Sequence, residues 1–130
     1  MVITHIKGGL GNQLFQYAYG KFLAMQLNEV LYLDNTLFTS GQSWNRAFNL
    51  DKFGFKFEVA SAELINRFDS NQKPNNFRML LQRLQMLPSF NVITEDKSKI
   101  DLSLKHKKGN LYLKGYWQMN YTLRKYANIC

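Results

Sequence analysis

Cysteine is almost missing from this chain: a single residue, Cys130, stands at its last position. That excludes an internal disulfide and a cysteine-built metal site, and it leads us to expect a reducing compartment. Proline is also scarce, with 2 in 130 residues, and no Gly/Ser-rich stretch marks a linker, so a single domain spanning 1–130 is expected. No apolar run approaches the roughly 18 residues that a membrane-spanning helix needs. Met1 passes directly into Val2-Ile3-Thr4-His5-Ile6, without the basic and long apolar regions of a secretory signal. Acidic residues are outnumbered, 9 against 17 Lys and Arg, and the net charge of +8 suits phosphorylated ligands, polyanions or anionic lipid surfaces.

What is present fits a folded α/β unit. A hydrophobic fraction of 45% against 20% charged residues is enough for a core. Val2 to Ile6 is β-branched and runs into the cluster Gly8-Gly9-Leu10-Gly11, which predicts a strand entering a tight loop. Leu14, Ala18, Phe22 and Met25, widened by Phe15 and Leu23, predict an amphipathic helix from Asn12 to about Leu27. Asn28-Glu29 ends it, and Val30 to Leu33, closed by Asp34, predicts a second strand parallel to the first, giving a βαβ opening. From Thr36 to Ala60 aromatic residues are scattered and no regular element is predicted. Ser61 is expected to cap a helix through Phe68, followed by an exposed polar connector from Asp69 to Asn76. Phe77, Leu80, Leu81, Leu84 and Leu87 predict a helix stopped by Pro88, its stripe facing the core in preference to lying on a membrane surface, and Phe90 to Thr94 a strand. Gly109-Asn110 is a turn signal before a strand from Leu111 through Trp117, and Asn120 opens a last helix containing Leu123, Tyr126 and Ala127.

The segment Lys7-Gly8-Gly9-Leu10-Gly11-Asn12-Gln13 lies between strand and helix, where backbone N–H groups face ligands. It lacks the Lys-Ser/Thr ending of a P-loop. A dinucleotide reading can use Gly9-x-Gly11 and place Asp34 at a ribose, but Leu14 stands where the third glycine belongs. The bland reading is a tight turn, with Asp34 ending a strand.

The longer string Gly8-Gly9-Leu10-Gly11-Asn12-Gln13-Leu14-Phe15-Gln16-Tyr17-Ala18 resembles the N-terminal signature of the bacterial α-1,2-fucosyltransferases (glycosyltransferase family 11-like). Val30 to Asp34 resembles that family's second strand, Arg46 to Phe53 its R-x-F-x-L-x-x-F segment, and Tyr112 to Gln118 its Y-x-x-G-Y-x-Q element. Met119 and Asn120 depart from the family's usual serine and charged residue. The H-x-R-x-G-D element of the family's second half does not occur between Met1 and Cys130. The resemblance implies the Rossmann-like N-terminal, acceptor-side half of a GT-B-type glycosyltransferase, with the C-terminal donor-binding domain missing and this polypeptide inactive by itself.

Further expectations follow from the resemblance. The reaction is inverting, metal-independent transfer of L-fucose from GDP-fucose to the 2-hydroxyl of a galactose-containing acceptor. GDP-fucose is a donor substrate and no cofactor is implied. The partners are a nucleotide sugar and a glycan, which lipid-linked acceptors would bring to the inner face of the cytoplasmic membrane from an otherwise cytoplasmic location. Substrate-binding residues by carry-over are Gly9, Gly11, Asn12, Gln13, Tyr116 and Gln118, with no catalytic residue named and no metal ligand. Asn12 has helix capping as its bland role, and Tyr116 core packing. His5 reads as a hydrogen-bonded packing residue, and His106, within Lys105 to Lys108, as solvated. The competing classes are an NAD-type dinucleotide-binding domain and a basic nucleic-acid-binding module, though no nucleic acid is expected as a partner.

Overall fold

A computed structural model describes residues 1–43, 45–71, 76–84, 88–95 and 109–117. The elements are β1 (Val2–His5), α1 (Leu10–Leu27), β2 (Leu31–Asp34), α2 (Thr36–Thr39), a 3-10 turn (Leu50–Phe53), β3 (Glu58–Val59), α3 (Ala62–Asn71), α4 (Asn76–Arg83), β4 (Phe90–Thr94) and β5 (Asn110–Lys114). The strands form one sheet in the order β3-β2-β1-β5-β4, and every neighbouring pair is parallel. The fold is therefore an α/β fold on a parallel five-stranded sheet, an arrangement compatible with a Rossmann-like one.

A parallel sheet covered on both faces needs strands that are apolar on both sides. Val2, Ile3 and Thr4 of the central strand are fully buried, as are Leu111 and Leu113 of its neighbour. On one face Val2, Ile6, Leu31, Leu33, Leu111 and Leu113 pack against Tyr19, Leu23 and Ala24 of α1. On the other, Ile3, Ala60, Phe68 and Tyr112 form a second cluster, and Phe68 of α3 meets Phe90 edge-on. Gly20 permits close packing of α1 on β1, because a Cβ there would collide with Thr4 Oγ1.

The structure corrects the predicted face of α1. The helix starts at Leu10, and its buried residues are Gln13, Gln16, Tyr19, Gly20, Leu23 and Ala24. Of the predicted stripe, Leu23 is buried and Leu14 packs partly on the core. Phe15, Phe22 and Met25 are exposed, at 42%, 46% and 69%, and Ala18 also faces outward. Periodicity reasoning assumes that the buried face is the apolar one. Here two glutamines turn inward because neighbouring loops carry backbone groups that need partners.

Other boundaries also shift. The stretch from Thr36 to Ala60 contains α2, the 3-10 turn and the edge strand β3. Ser61 Oγ accepts from Leu64 N–H at 3.2 Å, the capping bond expected of it. Helix α3 continues to Asn71, so Asp69, Ser70 and Asn71 are helical rather than connector. Leu80 and Leu84, predicted to face the core, are 52% and 60% exposed. Strand β5 stops at Lys114, and Trp117 has a left-handed backbone (φ 53°) and stacks on Tyr19 at 4.5 Å. Gln118, the predicted last helix and the Lys105 to Lys108 run lie outside the described residues.

Candidate functional site

The central strand β1 is flanked by β2, reached through α1, and by β5, which belongs to the opposite side of the sheet. Where strand order changes direction in this way, the loops leaving the carboxyl ends of the strands separate and leave a crevice. Lys7-Gly8-Gly9 leaves β1 and Gly115-Tyr116 leaves β5 at that place.

Local chemistry holds the first loop open. Gly8 has φ +81°, and a Cβ on it would come within 2.7 Å of Asn12 Nδ2 and 3.3 Å of Tyr116 Cε1. Both side chains therefore lie directly over this turn. Beneath it, Gln16 Oε1 accepts from Lys7 N–H at 2.9 Å. Gln13 Nε2 donates to Gly8 C=O at 3.1 Å and to Ala47 C=O at 2.9 Å, and its Oε1 accepts from Asn49 N–H at 3.0 Å. One buried carboxamide thus ties the glycine turn to the segment carrying Arg46.

Above the turn lies a cleft of about 900 Å³. Lys7, Gly8 and Asn12 line one side, Leu37 and Phe38 of α2 another, and Tyr116 a third. The remaining wall is formed by the turn residues Gly41, Gln42, Ser43, Asn45 and Arg46. That turn is closed by Arg46 N–H donating to Ser43 C=O at 3.0 Å and by Ser43 Oγ donating to Arg46 C=O at 2.7 Å. Tyr116 is 39% exposed. Lys7 Nζ sits 4.4 Å from the Tyr116 ring centroid, and Tyr116 N–H donates to Glu95 Oε2 at 2.8 Å.

Of the predicted site residues, Asn12 and Tyr116 line this cleft. Gly9 lies under Arg46, while Gly11 has open space around it. Gln13 is fully buried and spends its amide on loop backbone. Gln118 lies outside the described residues. The capping role weighed for Asn12 is corrected: Gly9 occupies the cap position, and Asn12 is the third residue of the helix. Sequence reasoning missed Lys7 and Arg46 as lining residues. Arg46 stood within the R-x-F-x-L-x-x-F segment, but nothing local showed that Gln13 would draw that segment against the glycine turn.

A second polar cluster lies on the other face of the same strands. Asp34 is 1% exposed. Its Oδ1 accepts from Thr36 N–H at 3.0 Å and Thr36 Oγ1 at 2.7 Å. Its Oδ2 accepts from the Tyr112 hydroxyl and lies 3.0 Å from His5 Nδ1. Burial alone would raise the Asp34 carboxyl, but hydrogen bonds from His5, Tyr112 and Thr36 outweigh it and hold the group far below the usual carboxylate range. Burial and then the Asp34 carboxylate push the Tyr112 phenol far above its usual range. Both Asp34 oxygens are engaged, so the acid that a dinucleotide reading needs at a ribose is occupied elsewhere. His5 is the hydrogen-bonded packing residue that its sequence context suggested.

Among the described residues no group of three His, Cys, Asp or Glu could hold a metal ion, and no helix is long and apolar enough to cross a membrane. Comparison with protein-family models, curated proteins and solved structures found no match to this chain.

Proposed function

We propose that this chain is the acceptor-side, Rossmann-like half of a GT-B-type glycosyltransferase, and that the cleft above Gly8-Gly9 holds the sugar onto which fucose is transferred. The supporting observation is the convergence of the Asn12 carboxamide and the exposed Tyr116 ring on one crevice at the carboxyl end of the central strands. Sugars carry apolar C–H faces beside hydroxyls, so an aromatic face next to an amide meets both requirements. The resemblance of the Gly8 to Ala18 string and its three companion segments supplies the rest. The donor is GDP-fucose, the acceptor a galactose-containing glycan with a free 2-hydroxyl, and the transfer inverts the anomeric carbon without a metal.

The chemistry asks for two things. The acceptor hydroxyl must lose its proton as it attacks the anomeric carbon, and the departing diphosphate must meet positive charge or N–H donors. In this reading Asn12 and Tyr116 orient the acceptor, and the loop backbone excludes water beneath it. In this reading the donor is held mainly by the other half of the enzyme.

The test is titration of the chain with a galactose-terminated disaccharide, followed by backbone NMR. Saturable shifts at Gly8, Asn12 and Tyr116 are expected, with affinity near the millimolar range. Tyr116→Ala should weaken binding about tenfold, the loss of about 1.4 kcal/mol of stacking. Shifts that arise with NAD and not with the disaccharide would reject the proposal.

A further inference from the structure

The cleft has a charge pattern that a neutral sugar does not require. Two cations, Lys7 and Arg46, line it and no carboxylate does so among the described residues, the Glu95 carboxylate beside it accepting from Tyr116 N–H. The ion pairs among the described residues join the Met1 amino group to Glu29, His5 to Asp34 and Arg67 to Glu63; none uses Lys7 or Arg46. A chain with 17 basic residues and 9 acidic ones will show acid-free surface in many places. What distinguishes this place is that both cations are held at the wall of a concavity. The Lys7 ammonium rests on the Tyr116 ring at 4.4 Å. The Arg46 guanidinium lies so close over Gly9 that a Cβ there would come within 2.8 Å of it. Helix α1 starts beside them with no acid in its first turn and no side-chain cap, which adds positive potential of the same sign.

We propose that Lys7 and Arg46 form an anion subsite over the Gly8-Gly9 turn, one that takes a phosphoryl or carboxylate group carried by the ligand. The subsite rests on reading this crevice as a carbohydrate cleft, and it narrows that reading to ligands with a negative charge next to the sugar. Two sources supply such a charge: an acidic or phosphorylated acceptor sugar, and the diphosphate of the nucleotide donor. A planar guanidinium grips either oxyanion through paired hydrogen bonds, while the lysine serves as a point charge beside it.

The 130-residue chain is titrated at low salt with galactose, galacturonic acid, galactose 1-phosphate and GDP. At least one of the three anions should bind about tenfold more tightly than galactose, with the advantage shrinking as salt rises. Arg46→Gln should abolish the advantage and Arg46→Lys should keep part of it. Gly9→Ala keeps both charges but places a methyl group where the guanidinium lies. It should cost anion affinity severalfold while leaving the melting temperature nearly unchanged, because the displaced atom ends a flexible side chain. Preference for the sugar acids over GDP assigns the charge to the acceptor; preference for GDP assigns it to the donor. If galactose binds as tightly as its acidic forms, or the advantage survives in both Arg46→Gln and Lys7→Gln, the anion subsite is wrong and the carbohydrate cleft stands. If none of the four binds, both fall together.

Discussion

One polar cluster sits on the central strands and another beyond their carboxyl ends, and the two behave as opposites. On one face His5, Asp34, Thr36 and Tyr112 satisfy one another inside the protein. At the carboxyl edge, Lys7, Asn12, Arg46 and Tyr116 converge on open volume. By residue type alone the first group is the more reactive, since it contains a histidine, an acid and a phenol. The structure shows why it is the weaker candidate: its groups are buried and bonded to each other, whereas the second group lines a cleft. Closed polar networks hold a fold in place, and open ones receive ligands.

The largest effect that can break this contrast is on stability. Asp34→Ala leaves the Tyr112 hydroxyl and the Thr36 donors without their acceptor, and should cost about 3 kcal/mol or more by urea unfolding. A loss under 1 kcal/mol would mean the cluster is not structural. Next comes Gln13→Leu, which strips partners from the Gly8 and Ala47 carbonyls and the Asn49 N–H. About 2–3 kcal/mol should be lost, with faster amide exchange from Arg46 to Asn49 and weaker ligand binding in the cleft. If exchange there stays as slow as in the parent chain, the glutamine is not the tie.

The pH dependence sharpens the same comparison. Asp34 is held below its unfolded value of about 3.9, so its contribution is complete above that value and is lost as pH falls through and below it. Tyr112 is held above its unfolded value of about 10, so its contribution is complete below that value and is lost as pH rises beyond it. Stability measured against pH should therefore form a plateau between about pH 5 and 9. Asp34→Asn should flatten the acid limb, and an unchanged limb would assign acid unfolding to other carboxylates. The smallest effect is expected on the outward face of α1. Met25→Lys should change stability by less than about 0.5 kcal/mol, because Met25 is 69% exposed. A loss of 2 kcal/mol would show that the face is covered.

Much of the frame was readable in advance. β-branched Val2 and Ile3, the glycine turn, and the apolar run closed by Asp34 encode a strand, a reversal and a parallel strand through local preference alone. Ser61 marked its helix for the same reason, since a hydroxyl capping an N–H three residues on is a local bond. The orientation of α1 was not readable. Its buried face contains Gln13 and Gln16, and the groups they satisfy lie in other segments, with Asn49 36 positions from Gln13. Residues such as Leu80 and Leu84 failed for a related reason: helical spacing identifies an apolar stripe but not what covers it.

By itself, then, the sequence determined an opening strand-turn-helix-strand unit, a parallel α/β class and a positively charged chain, because these follow from backbone preferences and composition. Only the tertiary structure decided which polar residues are consumed by the fold and which are left facing a cleft. That partition depends on groups remote in sequence, such as Lys7, Arg46 and Tyr116 around one turn, being brought within a few ångströms of each other.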